Sequence, residues 1–285
     1  MSDIYTLKSP PNPHSCVVFN SPHSGSNYPV DFLASSGLDS VAIRSSEDAF
    51  VNELFGDAPK HGAHLLSAHA PRAFLDLNRS PAELDPAIVQ GVKRAPANPR
   101  ITAGLGVIPR IVGNGQVIRT GKISMIEAQN RIASFYTPYH NCLQNLIDLQ
   151  RSVHGMALLV DCHSMPHKSL DTAPLVRGKK PDIILGDRFG ASCDRWIMDT
   201  ATKIFSAAGF VVARNAPFSG GYITQHYGRP SKSVHAFQIE INRSLYMDES
   251  RIKRAAAFDE VRAVLSGVTC RLAQIGPAST VLAAE

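Results

Sequence analysis

Short apolar runs recur along the chain and alternate with segments whose apolar residues are spaced three or four positions apart. The short runs predict buried strands at residues 16–20, 73–77, 157–160, 181–185, 210–213 and 236–241. The spaced segments predict helices at about residues 46–55, 124–153, 192–208 and 252–272. Alternating strands and helices predict an α/β fold with a largely parallel sheet.

Several segments refine this outline. The first helix is expected to hold Glu47 and Asp48 in its first turn, and Pro138 is expected to bend or divide the second. Residues 83–106 are Pro-rich and aperiodic, which favours a surface excursion or lid, whereas residues 108–112 and 116–119 resemble a hairpin. With no repeat or linker, we expect a single catalytic domain over residues 1–285, with its core at about 16–272.

Composition and charge exclude several classes of protein. The 285 residues carry a net charge of +5, but their 29 Lys and Arg and 24 Asp and Glu form no basic run, which favours a small anionic substrate over nucleic acid. Five scattered cysteines without a C-x-x-C pair argue against a disulfide framework and for a reducing compartment. No apolar run is long enough to span a membrane, so we expect a cytoplasmic protein without a membrane partner.

Polar clusters follow three of the predicted strands, where α/β folds place their sites. His23 and His163 lie in two of these clusters, and with Asp48 or its neighbour Glu47 they could supply the three ligands of a catalytic zinc. Each of them could instead be an ordinary capping or surface group. Asp161 shares a strand face with His163 and could orient its ring, whereas Cys162 points to the opposite face and is expected to lie in the core.

Glu240 protrudes from the last predicted strand, whose other residues are largely apolar. A buried carboxylate is costly unless it is paired or used. It could act as a general base beside a metal site, or it could form an ion pair with Arg243 or Arg79.

Arginines near the strand ends are candidates for binding a substrate carboxylate, because guanidinium matches that group in two hydrogen bonds. The candidates are Arg79, Arg119, Arg229 and Arg243. The Gly-rich segment 220–229 resembles a substrate-covering loop, with Thr224 and His226 among its polar residues. A G-x-S-x-G elbow, an H-E-x-x-H helix, a dinucleotide fingerprint and a P-loop are all absent, which disfavours serine α/β-hydrolases, thermolysin-type enzymes and nucleotide enzymes.

Five motifs, taken in order, resemble those of the N-formylglutamate amidohydrolase family over about residues 16–250: Asn20-Ser21-Pro22-His23-Ser24-Gly25, the segment 46–54, Leu75-Asp76-Leu77-Asn78-Arg79, Asp161-Cys162-His163-Ser164-Met165-Pro166 and Gln238-Ile239-Glu240-Ile241-Asn242-Arg243. The resemblance implies a mixed central sheet flanked by helices, related to zinc carboxypeptidases and to succinylglutamate desuccinylase and aspartoacylase. It also implies metal-dependent hydrolysis of N-formyl-L-glutamate to formate and L-glutamate, a late step of histidine breakdown in some bacteria.

The resemblance also implies roles for individual residues. His23 and His163 match zinc ligands, and Asp48 aligns best with the acidic ligand, although Glu47 is the alternative. Glu240 matches the general base, and the pair Asn78-Arg79 is similar to the pair with which zinc carboxypeptidases hold a substrate carboxylate. The carboxypeptidase H-x-x-E spacing is absent, because position 26 is Ser.

Two other functions agree with the same residues. The first is the same zinc chemistry on another N-acyl amino acid or on a C-terminal peptide bond, since the size of the acyl pocket cannot be read from sequence. The second is a non-catalytic module that binds a small carboxylate.

Overall fold

A seven-stranded mixed sheet forms the centre of the computed structural model, which describes residues 4–93 and 98–277. Its strands, in chain order, are β1 Tyr5–Lys8, β2 Val17–Ser21, β3 His64–Ala68, β4 Ala157–Met165, β5 Ile183–Gly186, β6 Val212–Arg214 and β7 Val234–Asn242. Their spatial order is β1-β3-β2-β4-β7-β5-β6. The β1–β3 and β5–β7 pairs are antiparallel and the other four are parallel. A small hairpin of β8 and β9 follows, at Met247–Asp248 and Lys253–Arg254.

Helices cover both faces of the sheet. They are α1 Val30–Ala34, α2 Val51–Leu54, α3 Pro99–Thr102, α4 Met125–Arg131, α5 Thr137–His154, α6 Arg195–Ala207, α7 Tyr222–Tyr227 and α8 Phe258–Leu272. Apolar residues of α2, α6 and α8 pack on one face, and those of α4, α5 and α7 pack on the other. The predicted α/β fold with a mostly parallel central sheet is therefore confirmed. Among the described residues, no helix is both long and apolar enough to cross a bilayer.

The central strand β4 shows why the chain folds in two layers. Leu158, Val160 and Cys162 point into one core, whereas Ala157 and Leu159 point into the other. All of them are fully buried, as a strand covered by helices on both faces requires. Cys162 thus lies in the core, as its position in the strand predicted.

The structure corrects several predicted elements. Residues 73–77 form a turn, in which Phe74 and Leu75 donate backbone hydrogen bonds to Pro71, and the strand lies at β3 instead. The expected first helix begins at Val51, so Glu47 and Asp48 precede it, because Phe50 takes a positive φ of 67° that breaks the helical path. The expected hairpin is reduced to one bridge between Ile111 and Val117.

Other boundaries shift without changing the fold. The long predicted helix has a π-helical turn at Ile132–Tyr136, which joins α4 to α5, and Pro138 lies in the first turn of α5. The last predicted helix begins at Phe258, later than expected. Residues 94–97 of the predicted excursion, and residues 1–3 and 278–285 of the predicted domain, lie outside the described residues.

Candidate active site

Three adjacent parallel strands deliver the central residues of the site to one edge of the sheet. His23 follows the end of β2, His163 lies near the end of β4, and Glu240 lies near the end of β7. In the β4–β7 ladder, His163 and Glu240 are direct partners. Their side chains meet here because parallel strands present their carboxyl ends on the same side.

His23, Asp48 and His163 form a buried cluster whose candidate ligand atoms all lie within 4.8 Å of one another. Asp48 Oδ2 is 2.9 Å from His163 Nδ1 and 3.4 Å from His23 Nδ1. Glu47, the alternative acidic ligand, points elsewhere and contacts Arg44 and the hydroxyl of Tyr28. The three facing atoms therefore come from His23, Asp48 and His163.

Each histidine of the cluster contacts a second carboxylate on its far side. Asp76 Oδ1 is 2.7 Å from His23 Nε2, and Asp161 Oδ2 is 2.9 Å from His163 Nε2. A carboxylate at this position keeps the ring proton on Nε2 and leaves the Nδ1 lone pair available. His23 Nδ1 is buried and has no hydrogen-bond partner among the described residues. This donor set fits a divalent metal ion.

Arginines hold the carboxylates in place. Arg243 donates to Asp48 Oδ1 at 3.0 Å, and Arg72 donates to Asp76 Oδ2 at 3.0 Å. Burial alone would raise the pKa of Asp48, but the imidazoles of His163 and His23 hold that pKa well below its ordinary value. Burial would likewise raise the pKa of Asp76, but Arg72 and His23 hold it well below its ordinary value, so both carboxylates stay charged.

Asp161 belongs to a buried polar network beneath the cluster. Asn20 donates to Asp161 Oδ1 at 2.7 Å and accepts a hydrogen bond of 2.6 Å from the Tyr139 hydroxyl. Asn78 Nδ2 lies 3.1 Å from His163 Nε2, and Asn78 Oδ1 accepts the backbone N–H of Ile223. Asn78 therefore connects the cluster to the start of α7.

Glu240 lines the cleft and forms a hydrogen bond with Gln238. No Lys, Arg or His nitrogen of residues 4–93 and 98–277 lies within 4 Å of its carboxylate, so the alternative ion pair with Arg243 or Arg79 is not formed. Burial raises the pKa of Glu240 to about 7, although the nearby His163 opposes this shift. A carboxyl with such a pKa can both take up and release a proton near neutrality.

A cleft of about 550 Å³ opens above these groups, a size that suits a small molecule. The cluster, Glu240 and Asn78 line it, together with four arginines: Arg72, Arg79, Arg100 and Arg243. Residues from the predicted excursion reach this cleft, since Arg100 and Leu105 are part of its wall.

Four predicted substrate-binding residues do not line this cleft. Arg119 lies in a separate cavity beside Glu127 and Arg131. Thr224 is buried in α7, where its hydroxyl donates to the Gly221 carbonyl, and His226 stacks on Tyr222. Arg229 donates to the backbone carbonyls of Gln225 and Gly228. Most of the Gly-rich segment 220–229 forms the short helix α7 and its continuation, whereas its first residues, Gly220 and Gly221, line the cleft.

Sequence reasoning missed three functional candidates. Arg72 and Arg100 lie in a turn and a short helix, where periodicity gives no signal. Asp76 was part of a recognised polar cluster, but its contact with His23 depends on how two distant loops meet. The pattern Asp-x-Asn-Arg at the end of the apolar run 73–77 was the signal for it.

Comparisons with known proteins show which proteins this chain is similar to. A family model described as N-formylglutamate amidohydrolase matches residues 15–247. The N-formylglutamate deformylase of Pseudomonas aeruginosa is 31% identical over 259 residues, which cover 87% of this chain and 89% of that protein. The deformylase of Pseudomonas putida is 30% identical, covering 82% of each chain. The crystal structure of N-formylglutamate amidohydrolase from Ralstonia eutropha JMP134 has a TM-score of 0.87 and 32% identity, covering 95% of this chain and 97% of that one.

Proposed function

The chain belongs to the N-formylglutamate amidohydrolase family, and from this premise we propose that it hydrolyses N-formyl-L-glutamate to formate and L-glutamate. The observation that carries the proposal is the cluster of His23, Asp48 and His163 in the wall of a cleft that also contains Glu240. The names of the similar proteins support the formyl group and the glutamate of the substrate.

We also propose that the cluster holds one Zn²⁺ ion. Two imidazole nitrogens and one carboxylate oxygen are the usual protein ligands of a catalytic zinc. When bound, the ion would lower the pKa of water to about 7 and polarise the formyl oxygen. Asp76 and Asp161 orient the two imidazoles, and Arg243 holds Asp48 in place.

Glu240 serves as the general base and then as the general acid. It takes a proton from the water that attacks the formyl carbon, and it delivers that proton to the glutamate nitrogen as the carbon–nitrogen bond breaks. Arg72 lies beside Asp76, and among the described residues only its Nε atom donates a hydrogen bond, so its remaining N–H groups can stabilise the negative charge that develops on the formyl oxygen. Asn78 and Arg79 are proposed to bind the carboxylate next to the scissile bond.

Formate release from N-formyl-L-glutamate tests this function directly. We expect the purified protein to contain close to one equivalent of zinc by elemental analysis and to lose activity when a chelator removes it. Formyl, acetyl and succinyl glutamate compared side by side define the acyl group. Full activity in a metal-free sample would contradict the zinc proposal, and hydrolysis of acetyl or succinyl glutamate alone would contradict the formyl assignment.

A further inference from the structure

Three of the four arginines in the described wall of the cleft already donate hydrogen bonds within the protein. Arg243 donates to Asp48, to the Ser164 hydroxyl and to a backbone carbonyl. Its guanidinium is buried, so it acts on Asp48 rather than on a ligand. It is therefore a positioning residue.

Arg79 and Arg72 donate such hydrogen bonds with only some of their N–H groups. Arg79 donates to the carbonyls of Leu105 and Asn78, and its Nε lies 3.9 Å from Asp76. Arg72 donates to Asp76 through Nε. Both side chains are therefore held close to the carboxylate that contacts His23.

Arg100 differs from these three residues. Among the residues described, its guanidinium has no carboxylate within 4 Å and no hydrogen bond, although it lines the cleft. Its backbone is nevertheless fixed, because Asn98 Oδ1 accepts its N–H at 2.9 Å and its carbonyl accepts the N–H of Leu105 at 2.8 Å. Leu105 in turn accepts a hydrogen bond from Arg79. The side chain is thus anchored at its base beside Arg79 and has free donors.

The proposed substrate carries two carboxylates at different distances from the scissile bond. The first is attached to the carbon that bears the scissile nitrogen, so it must stay near the metal cluster, where Asn78, Arg79 and Arg72 lie. The second is two methylene groups further out and needs a cation that no protein carboxylate already neutralises. Arg100 meets this requirement. Arg79 lies 3.9 Å from Asp76 and donates to the Leu105 carbonyl, and the Leu105 N–H in turn donates to the Arg100 carbonyl. Arg100 is therefore the last residue in a chain of contacts that leads away from Asp76.

We propose that Arg100 binds the side-chain carboxylate of the N-acylated amino acid and so determines the preference for an acidic residue over a neutral one. This inference rests on the proposed function and extends it to a residue of the aperiodic segment. A guanidinium presents two parallel N–H groups to a carboxylate, a geometry that a primary amide in the ligand cannot accept equally well.

The test compares N-formyl-L-glutamate with N-formyl-L-glutamine, which differ only in the charge of the side-chain group. We expect R100Q to lower kcat/KM for the glutamate substrate by roughly 10- to 100-fold, mainly through KM, because a charge-assisted hydrogen bond contributes about that factor. The glutamine substrate should change by less than about 2-fold. R100K, which keeps the charge without the paired donors, should retain part of the preference.

R195Q is the matched control, since it removes the same charge from a side chain that is 91% exposed on α6. It should leave the preference of the wild-type protein unchanged. Calorimetry with L-glutamate and L-glutamine gives a second readout, in which R100Q should weaken only the binding of L-glutamate. Melting curves of each variant show that the fold is retained.

The outcomes separate this inference from the proposed function. An equal loss on both substrates, or an unchanged preference in R100Q, overturns the role of Arg100 while the wild-type activity stands. Absence of formate release by the wild-type protein overturns the proposed function, and the inference falls with it. A selective loss on N-formyl-L-glutamate supports both.

Discussion

Each of the two cluster histidines is held between carboxylates. Asp76 and Asp161 accept the Nε2–H groups of His23 and His163, while the Nδ1 atoms of both rings face Asp48. This arrangement fixes ring orientation and makes the facing nitrogen more basic. The outer carboxylates therefore contribute to metal affinity without being ligands.

Replacement of Asp76 tests that contribution. We expect D76N to weaken zinc binding by about 10- to 100-fold, because a neutral amide accepts the Nε2–H of His23 more weakly than a carboxylate and leaves Nδ1 less basic. Competition with a chromophoric chelator measures the affinity. D199N is the control, since Asp199 of α6 pairs with Arg214 of β6 and does not line the cleft. Zinc affinity that D76N leaves unchanged would show that Asp76 has no such role.

Glu240 is expected to act in proton transfer alone. E240Q should keep its full zinc content and lose kcat by about 100- to 10,000-fold, the usual contribution of a general base. Elemental analysis and formate release measure the two properties on the same sample. E260Q, at an exposed position of α8, serves as the control. Loss of zinc together with activity would instead assign Glu240 to the metal site.

Strand position accounts for part of what the sequence predicted, since Asp48, Asn78 and Arg79 were also predicted although none of them lies in a strand. His23, His163 and Glu240 were identified because each lies at or near the end of an apolar run, and parallel strands bring such ends together. Arg72 and Arg100 could not be identified in this way. They lie in segments whose course depends on tertiary contacts, and an arginine in a turn is ordinarily a solvated residue.

At the scale of elements, one error shows the limit of periodicity. Residues 73–77 are as apolar and as buried as a strand, yet they form a turn that packs into the core, while β3 at His64–Ala68 takes the place in the sheet. A short apolar run gives no sign of whether its backbone pairs with a neighbour. The edge strand β1 was missed for the opposite reason, because its side chains are half-buried or exposed.

The loop between β2 and α1 carries His23 and packs closely on the segment after β3. A Cβ at Gly25 would overlap the Ala70 carbonyl oxygen. We therefore expect G25A to destabilise the fold by about 1–3 kcal/mol, since the backbone must move to accept the methyl group. Zinc affinity should fall as well, because the same movement displaces His23.

Gly37 provides the comparison, because a Cβ there would meet no atom of the described residues within 4 Å. G37A should change stability by less than about 0.5 kcal/mol. Urea denaturation of both variants measures the free energy of unfolding. Equal effects at the two positions would contradict the close packing seen at Gly25.

At the scale of the whole molecule, α5 joins the helical layer to the site through His140. Its Nε2–H donates to the Leu77 carbonyl at 2.9 Å, directly before Asn78, and its Nδ1 accepts from the Tyr227 hydroxyl at 2.8 Å. The ring is buried and stacks on Tyr136. Because one nitrogen donates and the other accepts, this network requires the neutral imidazole.

Global stability should therefore depend on pH through His140. Burial lowers the pKa of His140 from 6.5 to about 4, although its hydrogen bond to Leu77 opposes the shift. The unfolded chain takes up the proton near pH 6.5 and the folded chain resists it, so the stabilisation is complete above that value and is lost as pH falls. The loss should reach about 3 kcal/mol at pH 4. Urea unfolding between pH 7.5 and 4 measures it, with chelator present so that metal release does not contribute. H140Q, whose amide can donate to Leu77 and accept from Tyr227, has no proton to take up, so its free energy of unfolding should fall by about 3 kcal/mol less over the same pH range. An identical pH dependence of the two proteins would assign the acid sensitivity to other groups.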